Sequence, residues 1–590
     1  MSAPAQRNRS TFHVELIKPS HYDDDGYVIQ WWRAWIPSNS LGVLHALIGQ
    51  AAEQRVLGDA VDIELRAYDE CHTRIPVARI VRRIRQAGGR GLVCLVGVQT
   101  NQFPRAMDLA REFRAAGIDV IVGGFHVSGC LAMLPETPPD LVEAQALGVT
   151  LFAGEAEGRI DQVLRDAWER RLPPVYNYLD SAPAMNGQPT PSLPRSLVRR
   201  YAGSLSTFDA GRGCPYLCSF CTIINVQGRK SRYRDADDVE RLIRANAEVG
   251  INRYFITDDN FARNKNWEAI FDRLIQLRER EGFDFNFLVQ VDTMCHKIEG
   301  FVEKAARAGC KKAFIGLENI KPENLVSARK GQNRIGEYRD MLNAWRSHGV
   351  VTYCGYILGF PDDTPESILS DLALIKRELP ADMLEFFILT PLPGSQDHKN
   401  LVLKGEWTDP DMNKYDLEHV ASRHPRMSAD EWQGIYRRVW DEYYTQEHIE
   451  TLFRRAAASG VKPKRILSMV FQFYGMMIFE NVHPLQGGFL RRKNRRQRRP
   501  GFARESVWSF YPRRVREFAT TYTRGTLYYL ALRRTLRRIL AEPGVAGYTD
   551  RALQADDQSA VDGLTALETR QREVTAARHA KARLAASRAH

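Results

Sequence analysis

No apolar run in these 590 residues reaches the ~18 needed to span a bilayer, so no membrane-spanning helix is expected. A basic-plus-apolar leader is also missing at the N-terminus, which argues against a secretory signal. Cysteine is scarce: nine, an odd number, scattered over the whole length. That argues against a disulfide framework and for a reducing, cytoplasmic setting. Acidic residues are short in one region only. From Asn481 to His590 there are 23 Lys and Arg against 9 Asp and Glu, a net charge of +14. The remainder holds 60 basic and 62 acidic residues, a net of −2. An anionic partner, phosphate on a membrane or on RNA, is therefore to be sought at the C-terminal end. The rest is ordinary: 44% hydrophobic and 26% charged, the composition of a soluble globular chain long enough for two to four domains.

Three of the nine cysteines are not scattered. Cys214, Cys218 and Cys221 share one short loop, spaced C-x3-C-x2-C. Soft thiolate ligands select zinc, copper(I) or iron–sulfur clusters. Structural zinc asks for a fourth protein ligand, and the next candidates, Cys295 and His296, are far down the chain. Three thiolates without a fourth suit a 4Fe-4S cluster with one iron left open. A zinc clip or three unrelated cysteines is the alternative.

Around this loop, apolar runs alternate with helical stretches. Strands are expected at Phe12–Ile17, Val61–Ala67, Leu92–Val98, Asp119–Val122 and Val149–Ala153, with helices near Leu41–Arg55, Pro76–Ala87, Pro104–Ala115 and Arg159–Glu169. This reads as a doubly wound parallel sheet, and its ligands bind at the strands' carboxyl ends. Gly123-Gly124-Phe125-His126 and Gly154-Glu155-Ala156-Glu157-Gly158 follow two of those strands. Residues 172–203, rich in proline, read as a linker. From 204 to 401 six strands are expected, at Ser204–Asp209, Arg253–Thr257, Phe285–Val291, Lys312–Leu317, Thr352–Leu358 and Leu384–Leu389. Polar residues gather at their carboxyl ends, where parallel barrels place their chemistry. Residues 402–480 read as helical: Ser428–Glu431 is a capping box, and Trp432, Ile435, Tyr436, Val439, Trp440 and Tyr443 form a stripe expected to dock on the barrel. Residues 481–590 read as a basic, partly disordered tail, frayed from about Gln554. Lys230, Arg232 and Arg234, after the cysteine loop, read as a solvated face.

The cysteine spacing, with Phe220 in the aromatic slot and Ala210-Gly211-Arg212-Gly213 before it, resembles the signature of radical S-adenosylmethionine (SAM) enzymes. Preceded by the two glycine loops, it resembles the cobalamin-dependent branch of that family. The fold class implied is α/β: a cobalamin-binding-like domain over 1–171, a partial (β/α)6 barrel over 204–401, and a helical C-terminal region. The resemblance implies a 4Fe-4S cluster on Cys214, Cys218 and Cys221. It implies SAM against Phe220, Asp258, Asp259, Asn260, Glu318 and Gly359. It implies cobalamin against Gly123, Gly124, His126, Gly154 and Glu155. One departure is plain: no D-x-H-x-x-G motif supplies a histidine below the cobalt, and Asp69-Glu70-Cys71-His72 has the wrong spacing. The implied reaction is SAM cleavage to a 5′-deoxyadenosyl radical and methylation of an unactivated carbon of a small or lipid-like substrate, with flavodoxin or ferredoxin as reductant. A non-methylating cyclase or rearrangement enzyme, an RNA-modifying enzyme and a non-catalytic sensor stay open as alternatives.

Overall fold

The computed structural model describes residues 9–554 and 563–587. Its N-terminal sheet has six parallel strands in the spatial order Val61–Asp69, Ser10–Lys18, Gly91–Leu95, Asp119–Gly123, Val149–Ala153, Val175–Asn177. The order reverses between Ser10–Lys18 and Gly91–Leu95, the switch point at which doubly wound sheets open a crevice. Side chains alternate in direction along each strand. Val93 and Leu95 enter the core under the helices Val77–Gln86 and Phe103–Ala115, while Leu92 and Cys94 enter the opposite core under Asn39–Glu53 and Ile160–Trp168. Cys94 thus serves as a small hydrophobe. The sixth strand, Val175–Asn177, lies within the stretch expected to be linker. It is only three residues long, too short for periodicity to reveal.

The second sheet has six parallel strands whose spatial order is their chain order: Leu205–Phe208, Arg253–Ile256, Asn286–Val291, Cys310–Glu318, Val351–Leu358, Met383–Ile388. It curls as an open barrel with helices outside. The aromatic stripe of Ala429–Tyr443 is buried against it. There Tyr443 Oη donates to Ala381 O, Tyr444 Oη to Leu384 O and Trp432 Nε1 to Leu358 O. Ser428 and Glu431 make the expected capping box.

The basic region is folded. Gly488–Arg492 pairs antiparallel with Gln30–Ala34, Val507–Leu540 is one 34-residue helix, and Gly563–Ser587 is another. The expectation of a disordered tail is corrected for these residues; the part of the expected frayed end at 555–562 and 588–590 lies outside the described residues. The charges misled because they are matched from a distance. Arg491 and Lys493 pair with Asp23, Lys493 also with Asp25, Arg498 with Glu505, and Arg499 with Asp411. Among the described residues no helix is long and apolar enough to cross a membrane.

Candidate functional site

The strand Leu205–Phe208 delivers the cysteine loop to the open end of the barrel. Gly213 takes φ +89°, and a Cβ there would lie 2.5 Å from Lys230 O, so only glycine makes this turn. Asp258 braces the loop: its carboxylate accepts Ala210 N–H at 2.7 Å and Asn264 Nδ2 at 2.9 Å. Ser219 N–H donates to Ala328 O, and Thr222 Oγ1 to Pro393 O. Burial raises the Cys214 thiol and pushes Cys221 up to about 12.

Around the thiols, Asp259 is half-buried, and its carboxylate takes no hydrogen bond from another residue in the described structure. Burial pushes Asp258 and Asp259 up to about 7. Asn260 is anchored to Asp292 at 2.9 Å, and Asp292 is clamped by Arg263. Glu318, at φ +63°, is ion-paired with Lys330, whose ammonium lies 5.6 Å from the Phe220 ring centroid. Gln332 Nε2 reaches Cys218 Sγ at 3.5 Å. Phe220 packs with Ala328, Ile357, Phe360 and Phe387 in a small apolar wall. Gly359, at φ +98°, is glycine because a Cβ would sit 1.9 Å from the Trp432 ring; this packing accounts for it without a ligand.

Across the domain boundary, a cleft opens at the carboxyl ends of the N-terminal strands. Gly97, Gly123, Gly124, Ser128, Gly154 and Glu155 line it, and Arg212, Val226 and Gln227 close it from the barrel side. Gly124 takes φ +145°, and a Cβ there would lie 2.2 Å from Val98 N. His126 is absent from this lining. The Gly-Gly turn starts the helix Phe125–Met133, which carries His126 inward, 1% exposed, against Phe103. Its Nε2 lies 2.6 Å from Asp140 Oδ2. His126, expected against cobalamin, thus lies on a buried helix and outside the lining of this cleft. Glu155 is also committed: Arg212 and Arg232 both pair with it. Arg212 additionally holds Glu157 and Asp209, each at 2.6 Å. The solvated face expected of Arg232 and Arg234 is corrected too. Arg234 is 1% exposed and donates to the carbonyls of Asp209, Met185, Gln188 and Pro189. The two domains also meet backbone to backbone, since a Cβ on Gly129 would lie 2.3 Å from Pro393 O.

Residues 210–375 match the Radical SAM superfamily. The chain is 27% identical to the bacteriochlorophyllide d C-12(1)-methyltransferase of Chlorobaculum tepidum, over 60% of this chain and 74% of that one. It is 26% identical to the hopanoid C-2 methylase of Rhodopseudomonas palustris, over 44% of this chain and 48% of that one. Its fold follows that of the radical SAM methyltransferase TsrM from Kitasatospora setae, solved with cobalamin and a 4Fe-4S cluster bound. The TM-score is 0.54 at 16% identity, covering 74% of this chain and 90% of that one. The chain thus carries a radical SAM domain, and along most of its length it is similar to proteins named as methyltransferases.

A radical SAM domain implies a 4Fe-4S cluster and SAM, cobalamin is bound in the structural neighbour, and the residues present fit all three. Among the described residues no three His, Cys, Asp or Glu side chains converge as a single-ion site requires. A 4Fe-4S cluster asks instead for one thiolate on each of three irons, and three cysteines on one loop can supply that. The Asp259 carboxylate is an uncommitted acceptor beside those thiols. The glycines at 97, 123, 124 and 154 leave a backbone-lined cleft with no imidazole in its lining. Sequence reading had missed Arg212, Lys330 and Gln332. Arg212 was visible in the loop's lead-in, but two of its three partners, Glu157 and Glu155, lie 55 and 57 residues away. Lys330 and Gln332 carry no local signal at all.

Proposed function

We propose that the enzyme methylates an unactivated carbon of a small, apolar, lipid-like substrate. The observation that carries this reading is the cysteine loop facing a glycine-lined cleft, the two held in register by Arg212. When bound, the cofactors supply a 5′-deoxyadenosyl radical and a transferable methyl group. The chain's own residues bind and orient. Cys214, Cys218 and Cys221 would hold three irons and leave the fourth for SAM. Asp259 would accept from the SAM ammonium; Asp258, its oxygens spent on Ala210 and Asn264, would hold the loop. Asn260, fixed by Asp292, would flank the same group. Glu318 with Lys330 would stand at the ribose edge, and Phe220 with Phe360 would wall the adenine from water. Gly123, Gly124 and Gly154 would let the corrin approach the backbone.

Relatives named for a bacteriochlorophyllide and for a hopanoid support an apolar substrate. A one-electron carrier such as flavodoxin or ferredoxin would be the reductant. An apolar substrate partitions into lipid, so we also propose peripheral contact, from the cytoplasmic side, with an anionic membrane; RNA is the less favoured partner of the basic region. Anaerobic incubation of the holoenzyme with SAM, reductant and lipid extract tests the reaction. Methylated product should appear together with 5′-deoxyadenosine and S-adenosylhomocysteine. 5′-Deoxyadenosine without S-adenosylhomocysteine would replace methylation by a rearrangement or cyclisation.

A further inference from the structure

The arginine cluster at 491–499 is the obvious candidate for membrane contact, yet much of its charge is spent inside the molecule, on Asp23, Asp25, Asp411 and Glu505. A neighbouring surface is better placed. The helix Val507–Leu540 is seated along one side, where Phe510, Gly525, Leu532, Leu536 and Ile539 are buried. On another flank Trp508, Tyr511, Val515 and Phe518 recur at i, i+3, i+7 and i+10, one row along the helix. They are 89, 56, 70 and 46% exposed. A second exposed pair, Trp32 and Phe489 with ring centroids 6.1 Å apart, sits on the ribbon Gln30–Ala34/Gly488–Arg492. That ribbon is tied to the same helix through Arg491 N–H to Tyr522 Oη and Arg514 Nη2 to Arg491 O.

The unpaired charge around this row has one sign. Between Gly487 and Leu540 the only acidic residues are Glu505, which Arg498 and Arg513 engage, and Glu517, which Arg513 and Arg514 engage. Arg33, Arg492, Arg496, Arg504 and Arg516 are exposed and make no ion pair in the described structure. A row of large exposed apolar side chains of this kind marks a contact surface. A second copy of the chain is a poor occupant, because two such faces would oppose unpaired guanidinium groups. An anionic bilayer offers an apolar layer for the rings and phosphates for the arginines at its rim, the arrangement favoured by interfacial helices and by Trp at headgroup level.

We infer that the row Trp508, Tyr511, Val515 and Phe518, rimmed by Arg492, Arg504 and Arg516, seats the enzyme on an anionic lipid surface. The inference rests on the membrane contact proposed above and gives it a structured carrier. Flotation of the full chain with phosphatidylcholine vesicles, with and without phosphatidylglycerol, at low and high salt, tests it. The wild type should float with the anionic vesicles at low salt only. The Trp508→Ser/Val515→Ser/Phe518→Ser variant should lose about tenfold or more in partitioning, since each buried large side chain contributes of the order of a tenfold factor. Its SAM cleavage in solution should be unchanged. Arg492→Gln/Arg516→Gln should weaken binding and flatten its salt dependence. If the wild type stays off anionic vesicles, membrane contact itself is overturned. If the wild type and the triple variant float equally, the row is overturned while the contact stands. Tighter retention by polyuridylate than by anionic vesicles would overturn the lipid assignment in favour of RNA, whose bases also stack on aromatic rings.

Discussion

Arg212 lies two residues before Cys214 and gathers three buried carboxylates, of Asp209, Glu155 and Glu157, from both domains. Removing the guanidinium would leave Glu157 without a partner, Glu155 with Arg232 alone and Asp209 with Arg234 alone, at about 3–5 kcal/mol by the usual cost of a broken buried pair. Arg212→Gln should therefore lower Tm by several degrees and reduce bound cobalamin. Arg212→Lys should rescue little, because an ammonium lacks the fork that serves several carboxylates. Calorimetry and the visible spectrum of reconstituted protein check both. Glu385 gives a pH-dependent outcome. Neither of its carboxyl oxygens is hydrogen-bonded, and burial pushes it from 4.5 up to about 8. His483 Nδ1 approaches to 3.7 Å, but burial lowers that imidazole to about 4, so at neutral pH the two groups are uncharged and do not form an ion pair. Between 4.5 and about 8 the unfolded chain holds fewer protons at this site than the folded one. Stability should thus fall as pH rises through that window. Glu385→Gln should flatten the dependence of Tm on pH there; an unchanged slope would acquit Glu385. At this scale the three cysteines were legible because their spacing is local. The pairing of Lys330 with Glu318, twelve residues back, was not, since it depends on how a loop returns over a strand end.

Secondary-structure elements were the most legible level. Leu92–Val98 was expected and Gly91–Leu95 found; Thr352–Leu358 was expected and Val351–Leu358 found. Runs of β-branched and aromatic residues bounded by glycine, asparagine or aspartate carry their own punctuation. The helix Phe125–Met133 was missed because it begins directly at Gly124, with no side-chain cap to mark it, and its faces are apolar all round. That omission left His126 in a loop. Gly359 tests the packing of helix on strand. A methyl group there would meet the Trp432 ring in an already strained φ, so Gly359→Ala should destabilise by about 2 kcal/mol or more. Near-UV circular dichroism should report a displaced tryptophan. Retained Tm and spectrum would show that Trp432 can move aside at no cost.

At the scale of the whole molecule, the sequence revealed order but not closure. The strand pair between Gln30–Ala34 and Gly488–Arg492 joins segments that no local pattern connects. The last described helix, Gly563–Ser587, makes a comparable long return. Gln571 accepts Ile335 N–H and donates to Asn333 O, and Arg570 pairs with Glu323. These contacts brace the loop that holds Lys330 and Gln332 beside Cys218. Arg570→Ala/Gln571→Ala should speed amide hydrogen exchange across Lys330–Asn333 several-fold while leaving the barrel strands protected. It should also make the reconstituted cluster bleach faster in air.

The position of that brace has a consequence for biosynthesis. Cys214, Cys218 and Cys221 leave the ribosome long before Gly563–Ser587 is translated, so a nascent chain exposes its thiols on a loop that nothing yet holds from the far side. The braced form of the cluster loop is then available only once that helix has been made. A ribosome stalled just before Gly563 would hold a chain with its cysteines and barrel strands already made and its cluster loop still without that brace.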